Sequence, residues 1–171
     1  MLQVEAYGPG RTFKEKLLNC LKRKAADGPE DPYFERYVMG LCDQGKPKED
    51  LNNQELLVQC KEIAPDLSEV SLYALFDKLD TNMFAYGLFV ECAFCNHSCD
   101  PNLSKTFSKD KKTLTLQTSR DIAIGEDCFI TYFNKKELLE PVWSRRARTE
   151  AIWGFICQCS RCVSESAAAG E

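Results

Sequence analysis

Phe94-Cys95-Asn96-His97-Ser98-Cys99-Asp100-Pro101-Asn102 is the stretch whose reading decides the fold. It contains the chain's one histidine and two of its ten cysteines. An Asp-Pro-Asn run can continue neither a helix nor a central strand, so the backbone must turn here. Just upstream, Leu88-Phe89-Val90 is apolar enough to be a buried strand or helix end. Chemically versatile side chains concentrated at an enforced turn mark the place where a binding site is expected.

Composition narrows the classes of function. A chain of 171 residues has room for one domain with a real core, or one domain and a small appendage. A formal net charge of −4 argues against a protein whose main task is neutralising phosphates, and no direct nucleic-acid contact is expected. The opening Met1-Leu2-Gln3-Val4-Glu5 has neither an apolar nor an Arg-rich leader character, and no long apolar run predicts a membrane span. An intracellular setting, nucleus or cytoplasm, follows, and there the cysteines stay reduced. Cys20, Cys42 and Cys60 fit as small hydrophobic residues. The others cluster, which points to metal.

The first half reads as helical. Phe13, Leu17, Leu18 and Leu21 share one helical face behind a Thr12 cap, and Lys22, Arg23 and Lys24 close that helix before Asp27-Gly28-Pro29. Pro32 to Leu41 is a short helix, and Asp43 to Asp50 a polar loop. Leu56 to Ile63 forms another helix, ended by Pro65. Asp66 and Glu69 read as a capping pair for a longer helix through Leu79. Beyond residue 87 the texture changes. Leu103 to Phe107 and Thr113 to Thr118 are strand-like, with Ser108 to Lys112 as their turn, and Cys128 to Phe133 is a further strand. Ser144 to Trp153 reads as a helix exposing Arg145, Arg146 and Arg148, and Ser164 to Glu171 as a frayed tail. The pattern is α+β.

Cys157-x-Cys159-x-x-Cys162 is the strongest local signal. Three thiolates this close can occupy three corners of a tetrahedral zinc. No Cys or His follows, so the fourth ligand must come from Cys92, Cys95, His97 or Cys99, stapling the C-terminal segment onto the turn. A site made of those four residues alone would be tighter than ordinary zinc modules and would leave the trio incomplete. Taken singly, His97 reads as a structural histidine, and Tyr132, Phe84, Trp153 and Phe155 as packing residues. Dinucleotide fingerprint, phosphate loop, His-Glu-x-x-His and hydrolase elbow are all missing.

Three motifs in order carry a resemblance. Asn96-His97-Ser98-Cys99-Asp100-Pro101-Asn102, Gly125-Glu126-Asp127-Cys128-Phe129-Ile130-Thr131-Tyr132, and Trp153-Gly154-Phe155-Ile156-Cys157-Gln158-Cys159-Ser160-Arg161-Cys162 resemble the C-terminal half of a SET domain with its post-SET zinc segment. The lead-in Thr81-Asn82-Met83-Phe84 is similar to the branch that joins SET and MYND modules (SMYD-like), and the close match runs from about Leu72 to Val163.

The resemblance implies a helical N-terminal insert over residues 1–66, a small-sheet, pseudo-knotted SET half over 67–140, a zinc-binding post-SET segment over 141–163 and a disordered tail over 164–171. The implied activity is protein-lysine N-methylation with S-adenosylmethionine and Zn2+, acting on a lysine-bearing protein or peptide, histone or other. Asn96, His97 and Phe155 would hold the methyl donor, Tyr132 would be catalytic, and Phe84 with Tyr132 would line the lysine channel. Cys99 would complete a zinc site with Cys157, Cys159 and Cys162. Two departures stand out: Trp153 where many relatives carry tyrosine, and no N-terminal strand portion with a Gly-x-Gly donor loop, of which Tyr7-Gly8-Pro9-Gly10-Arg11 is a faint echo. The alternative is a catalytically inactive, zinc-stabilised interaction module or a truncated fragment.

Overall fold

The computed structural model describes residues 1–29, 32–42, 44 and 54–169. Of the predicted polar loop over 43–50, all but Gln44 therefore lies outside the described residues. The chain forms two compact units. One comprises 3–94 and 107–114, the other 1–2, 95–106 and 115–171.

The first unit is built on helix α1, Phe13–Asp27. Thr12 caps it as expected: the Glu15 amide donates to the Thr12 hydroxyl at 3.1 Å, and the Thr12 amide donates back to the Glu15 carboxylate at 3.2 Å. Gly28 terminates it at a φ of 85°. Leu17, Cys20 and Leu21 form its buried stripe, and they pack with residues of α2 (Gln54–Ile63) and α3 (Glu69–Asn82). The cap of α3 is Ser68, whose hydroxyl accepts from the Ser71 amide at 3.0 Å. Asp66, read from the sequence as that cap, instead takes the Lys24 ammonium at 2.6 Å. Within the predicted helix Pro32 to Leu41, residues Phe34–Val38 form one wide π turn, closed by the Met39 amide donating to the Phe34 carbonyl at 2.9 Å.

The chain's opening is the main departure from the helical expectation for residues 1–66. Leu2–Glu5 (β1) and Gly8–Pro9 (β2) are strands. β2 pairs antiparallel with β3, Gly87–Leu88, which the short helix α4, Val90–Ala93, follows closely. The glycine at position 8 is forced by packing: a Cβ there would stand 2.6 Å from the Lys16 carbonyl of α1. Asn96–His97 is β4. β5, Leu103–Phe107, and β6, Thr113–Thr118, form the predicted hairpin, and β1, β6 and β5 make a three-stranded sheet in that order. The hairpin tip is held by the Ser108 hydroxyl on Asp110 at 2.6 Å.

In the second unit, β7 is confined to Phe129–Ile130, shorter than the strand predicted over 128–133. A 3₁₀ turn, Glu137–Leu139, leads into α5, Val142–Trp153, and then α6, Ser160–Ala169. Residues 164–169, expected to be a disordered tail, thus continue α6. Three consecutive alanines favour helix, and Glu165 and Ser166 are pinned by Arg145 and Arg146 of α5. Arg145, expected to be exposed, is 0% exposed. It sits with Val142 and Thr149 on the buried stripe of α5. Among the described residues, no helix is long and apolar enough to cross a membrane.

Candidate functional site

Pairing of β4 with β7 creates the site. The two strands run parallel, Asn96 opposite Phe129 and His97 opposite Ile130, and the Ser98 amide continues the ladder to the Ile130 carbonyl at 2.9 Å. Two-residue strands are weak by themselves, and Asn102 holds this pair in register. Its buried amide donates to the Asp127 carbonyl at 2.8 Å and to Glu126 at 3.1 Å, while its oxygen accepts from the Phe129 amide at 2.8 Å. The Asp-Pro-Asn turn therefore stitches the first sequence motif to the second.

His97 is buried at the centre. Its Nδ1 accepts from the Tyr132 amide at 3.0 Å, which assigns the ring proton of the neutral imidazole to Nε2, 3.3 Å from the Cys99 sulfur. Aromatic rings surround it, with Phe133 at 4.7 Å, Tyr132 at 5.2 Å and Phe155 at 6.1 Å between centroids. The histidine thus locks two chain segments together through its ring. The Tyr132 hydroxyl donates to the Cys95 carbonyl at 3.0 Å, and its ring packs on Trp153 at 5.1 Å.

Beside this centre opens a cleft of about 550 Å³. Asn96, His97 and Phe155, the three predicted donor-binding residues, all line it. Tyr132 is not on its wall, and Phe84 belongs to the other unit, where it packs edge-on against Phe89 at 5.7 Å. Arg120 and Glu126 also face the cleft and were missed from the sequence. The Arg120 guanidinium, then the Ala123 amide and Asn102, hold the Glu126 carboxyl at about 2, well below its ordinary range. The sequence signal for Glu126 was its place in the Gly-Glu-Asp turn, read there only as part of a motif.

Four sulfurs gather beside His97, and two of their residues, Cys157 and Cys159, also line the cleft. Those of Cys99, Cys157, Cys159 and Cys162 lie within 4.8 Å of one another. Cys99 is 4.0 Å from Cys157 and 3.6 Å from Cys162. Tetrahedral coordination with Zn–S near 2.3 Å requires sulfurs about 3.8 Å apart, so the donor set and spacing fit the metal. The hydrogen bond between Cys99 and Cys157 concentrates negative charge on Cys157, lowering that thiol and raising Cys99. Among the candidate fourth ligands, Cys99 joins the trio; Cys92, Cys95 and His97 are not part of the four-sulfur group.

Arginines surround this cluster. Arg146 donates to the Cys157 carbonyl at 3.0 Å, Arg161 to the Cys99 carbonyl at 3.4 Å, and Arg145 reaches the Cys162 sulfur at 3.5 Å. Arg145 also donates to the Glu140 carbonyl and to Glu165 at 2.5 Å. Charge, as well as geometry, is therefore organised around the sulfurs.

The two motif segments joined by β4 and β7, with the C-terminal cysteines brought to the turn, are the arrangement expected of a SET domain. Residues 17–133, about two thirds of the chain, match the SET domain family, and the chain belongs to it. It is similar to the histone-lysine N-methyltransferase SET5 of Yarrowia lipolytica, 33% identical over 79 residues, covering 46% of this chain and 17% of that protein. The potential protein lysine methyltransferase SET6 of Saccharomyces cerevisiae is 38% identical over 82 residues, covering 48% and 21%. The human protein-lysine N-trimethyltransferase SMYD5 is 32% identical over 80 residues, covering 47% and 19%, which gives the similarity its SMYD-like character. The matched stretch spans about a fifth of the length of these curated relatives.

Proposed function

We propose that this chain is the SET portion of an S-adenosylmethionine-dependent protein-lysine N-methyltransferase. The observation that carries the reading is the convergence of Asn96, His97 and Phe155 on one 550 Å³ cleft. That volume falls in the range of about 300–1,000 Å³ usual for small-molecule sites. The lining also suits the ligand: aromatic faces at Phe129 and Phe155, and polar groups at Asn96, Ser98 and Glu126. When bound, S-adenosylmethionine would supply a methyl group on a positively charged sulfur.

The chain's own residues have three tasks. Phe155 offers a flat apolar surface to the adenine, and Asn96 offers its amide and backbone groups to the rest of the donor. The Tyr132 hydroxyl, fixed by its bond to the Cys95 carbonyl, orients the lone pair of an incoming lysine amine. That amine has an ordinary pKa of about 10.4, and the rings of Tyr132 and Trp153 disfavour its charged form by excluding water. A zinc held by Cys99, Cys157, Cys159 and Cys162 would fix α6 and Phe155 to the turn that carries Asn96. The acceptor is a lysine-bearing protein or peptide, histone or other, in a reducing intracellular compartment, nuclear or cytoplasmic. The names of the matched relatives support the first assignment, and the reduced cysteines that a four-thiolate metal site requires motivate the second.

Titration calorimetry of the folded, zinc-loaded chain with S-adenosylmethionine tests the reading. Saturable one-to-one binding, lost when Phe155 is replaced by Ala, is expected. Absence of heat from a cooperatively folded sample would overturn it.

A further inference from the structure

A four-thiolate zinc site carries four negative charges against the metal's two. Placed out of water, the residual charge of −2 is costly unless the surroundings compensate it. Here the sulfurs of Cys99, Cys157 and Cys162 belong to residues that are 0–3% exposed. The helix that delivers the compensation is α5, from a position on its buried stripe.

Arg145 is 0% exposed and its guanidinium reaches the Cys162 sulfur at 3.5 Å. Its backbone anchor is the Glu140 carbonyl, and its outward partner is Glu165, at 2.5 Å, on α6. The Nε of the same guanidinium has no hydrogen-bond partner among the described residues. A permanently charged group in such surroundings is tolerated only beside compensating negative charge. Glu165 supplies part of it but lies at the rim, its side chain 37% exposed. The sulfurs supply the rest from the buried side.

We propose that Arg145 is the positioning residue of the metal centre, a built-in cation that offsets the excess negative charge of the four thiolates and so sets how tightly zinc is held. This rests on the zinc assignment made above and adds to it a determinant outside the four ligands. Arg146 and Arg161, which bind backbone carbonyls of ligand residues, shape the loops instead. Outer partners of metal ligands typically change metal affinity by about 10–100-fold when removed.

The test is zinc affinity of the full chain, measured by competition with a chromophoric chelator, for wild type and three variants. Arg145→Met keeps an unbranched stem as far as the Nε position and removes the charged end; it is expected to weaken zinc binding by about 10–100-fold. Arg145→Lys restores a cation and is expected to recover most of the loss, which a purely steric role would not do. Should Arg145→Met fail to fold, Glu165→Gln at the rim carries the test. Removing its carboxylate leaves the guanidinium uncompensated for the sulfurs, and zinc should bind a few-fold more tightly. Unchanged affinity in Arg145→Met, a loss that Lys does not recover, or unchanged or weaker binding in Glu165→Gln would overturn the proposal with the zinc site intact. A wild-type chain that takes up no zinc at all would instead remove the metal assignment itself.

Discussion

Three residues show how a side chain's partner, rather than its type, settles its role. His97 lies in a motif that invites a catalytic or metal-binding reading, yet both ring nitrogens are engaged, one by the Tyr132 amide and one by the Cys99 sulfur. The Tyr132 ring packs on Trp153 and its hydroxyl is held at the Cys95 carbonyl; on the proposed role, Tyr132→Phe should leave donor binding intact and lower the methyl-transfer rate by about 10²-fold. Single-turnover transfer of labelled methyl to a lysine-bearing protein checks this; an unchanged rate would remove the role assigned. Glu126 leads to a prediction about pH. Its carboxyl is depressed in the folded chain to about 2 from an ordinary 4.5, chiefly by Arg120. A depressed acid stabilises the fold above its unfolded value and loses that contribution as pH falls through the folded one. Wild type should therefore exceed Glu126→Gln in stability at neutral pH, and the two should converge between pH 4.5 and about 2. Denaturant unfolding across that window measures the difference.

At the scale of elements, two glycines have opposite reasons to be glycine. Gly154 ends α5 in the left-handed region at a φ of 74°, with open space where a Cβ would go. Gly154→Ala should thus cost only backbone strain, about 1–2 kcal/mol in urea unfolding, with the fold unchanged. Gly8 meets the Lys16 carbonyl at 2.6 Å, so Gly8→Ala must displace α1 or unpair β2 from β3. Its loss of stability should be the larger of the two, with faster amide exchange at Gly8 and Leu88; equal costs would show that the close approach is relieved cheaply. The pairing of β4 with β7 is shorter still, and Asn102 supplies from outside the ladder the hydrogen bonds that two residues cannot.

For the molecule as a whole, the second unit has a modest apolar core centred on Cys99, Phe133, Val142, Cys157 and Cys162. Three of those five are proposed metal ligands, so the sulfurs carry a large share of what holds α5 and α6 to the turn, beside the Trp153 packing and the arginine hydrogen bonds. A chelator should lower the melting temperature and strip exchange protection from residues 157–169. Metal at 1,000 times its dissociation constant would contribute about 4 kcal/mol of stability. Mass spectrometric hydrogen exchange with and without chelator reads this directly; identical protection would mean that the cluster bears no metal-dependent load. Among the described residues of the other unit, whose core includes Leu17, Leu21, Leu72 and Phe76, no comparable cluster of metal ligands is found.

Local chemistry determined much by itself. The cap at Thr12, the breaks at Gly28 and Pro65, the β5–β6 hairpin and the incomplete cysteine trio are all properties of neighbouring residues, and the three motifs in order were enough to indicate the SET family. Tertiary structure alone decided what depends on distant partners. Leu2–Glu5 is too short to announce itself as a strand, because its ladder lies more than a hundred residues away. Asp66 resembles a cap until Lys24 takes it, and Arg145 resembles a solvated charge until four sulfurs converge beside it. Sequence specifies donors, acceptors and charges; which of them must leave water together is set only when the chain closes on itself.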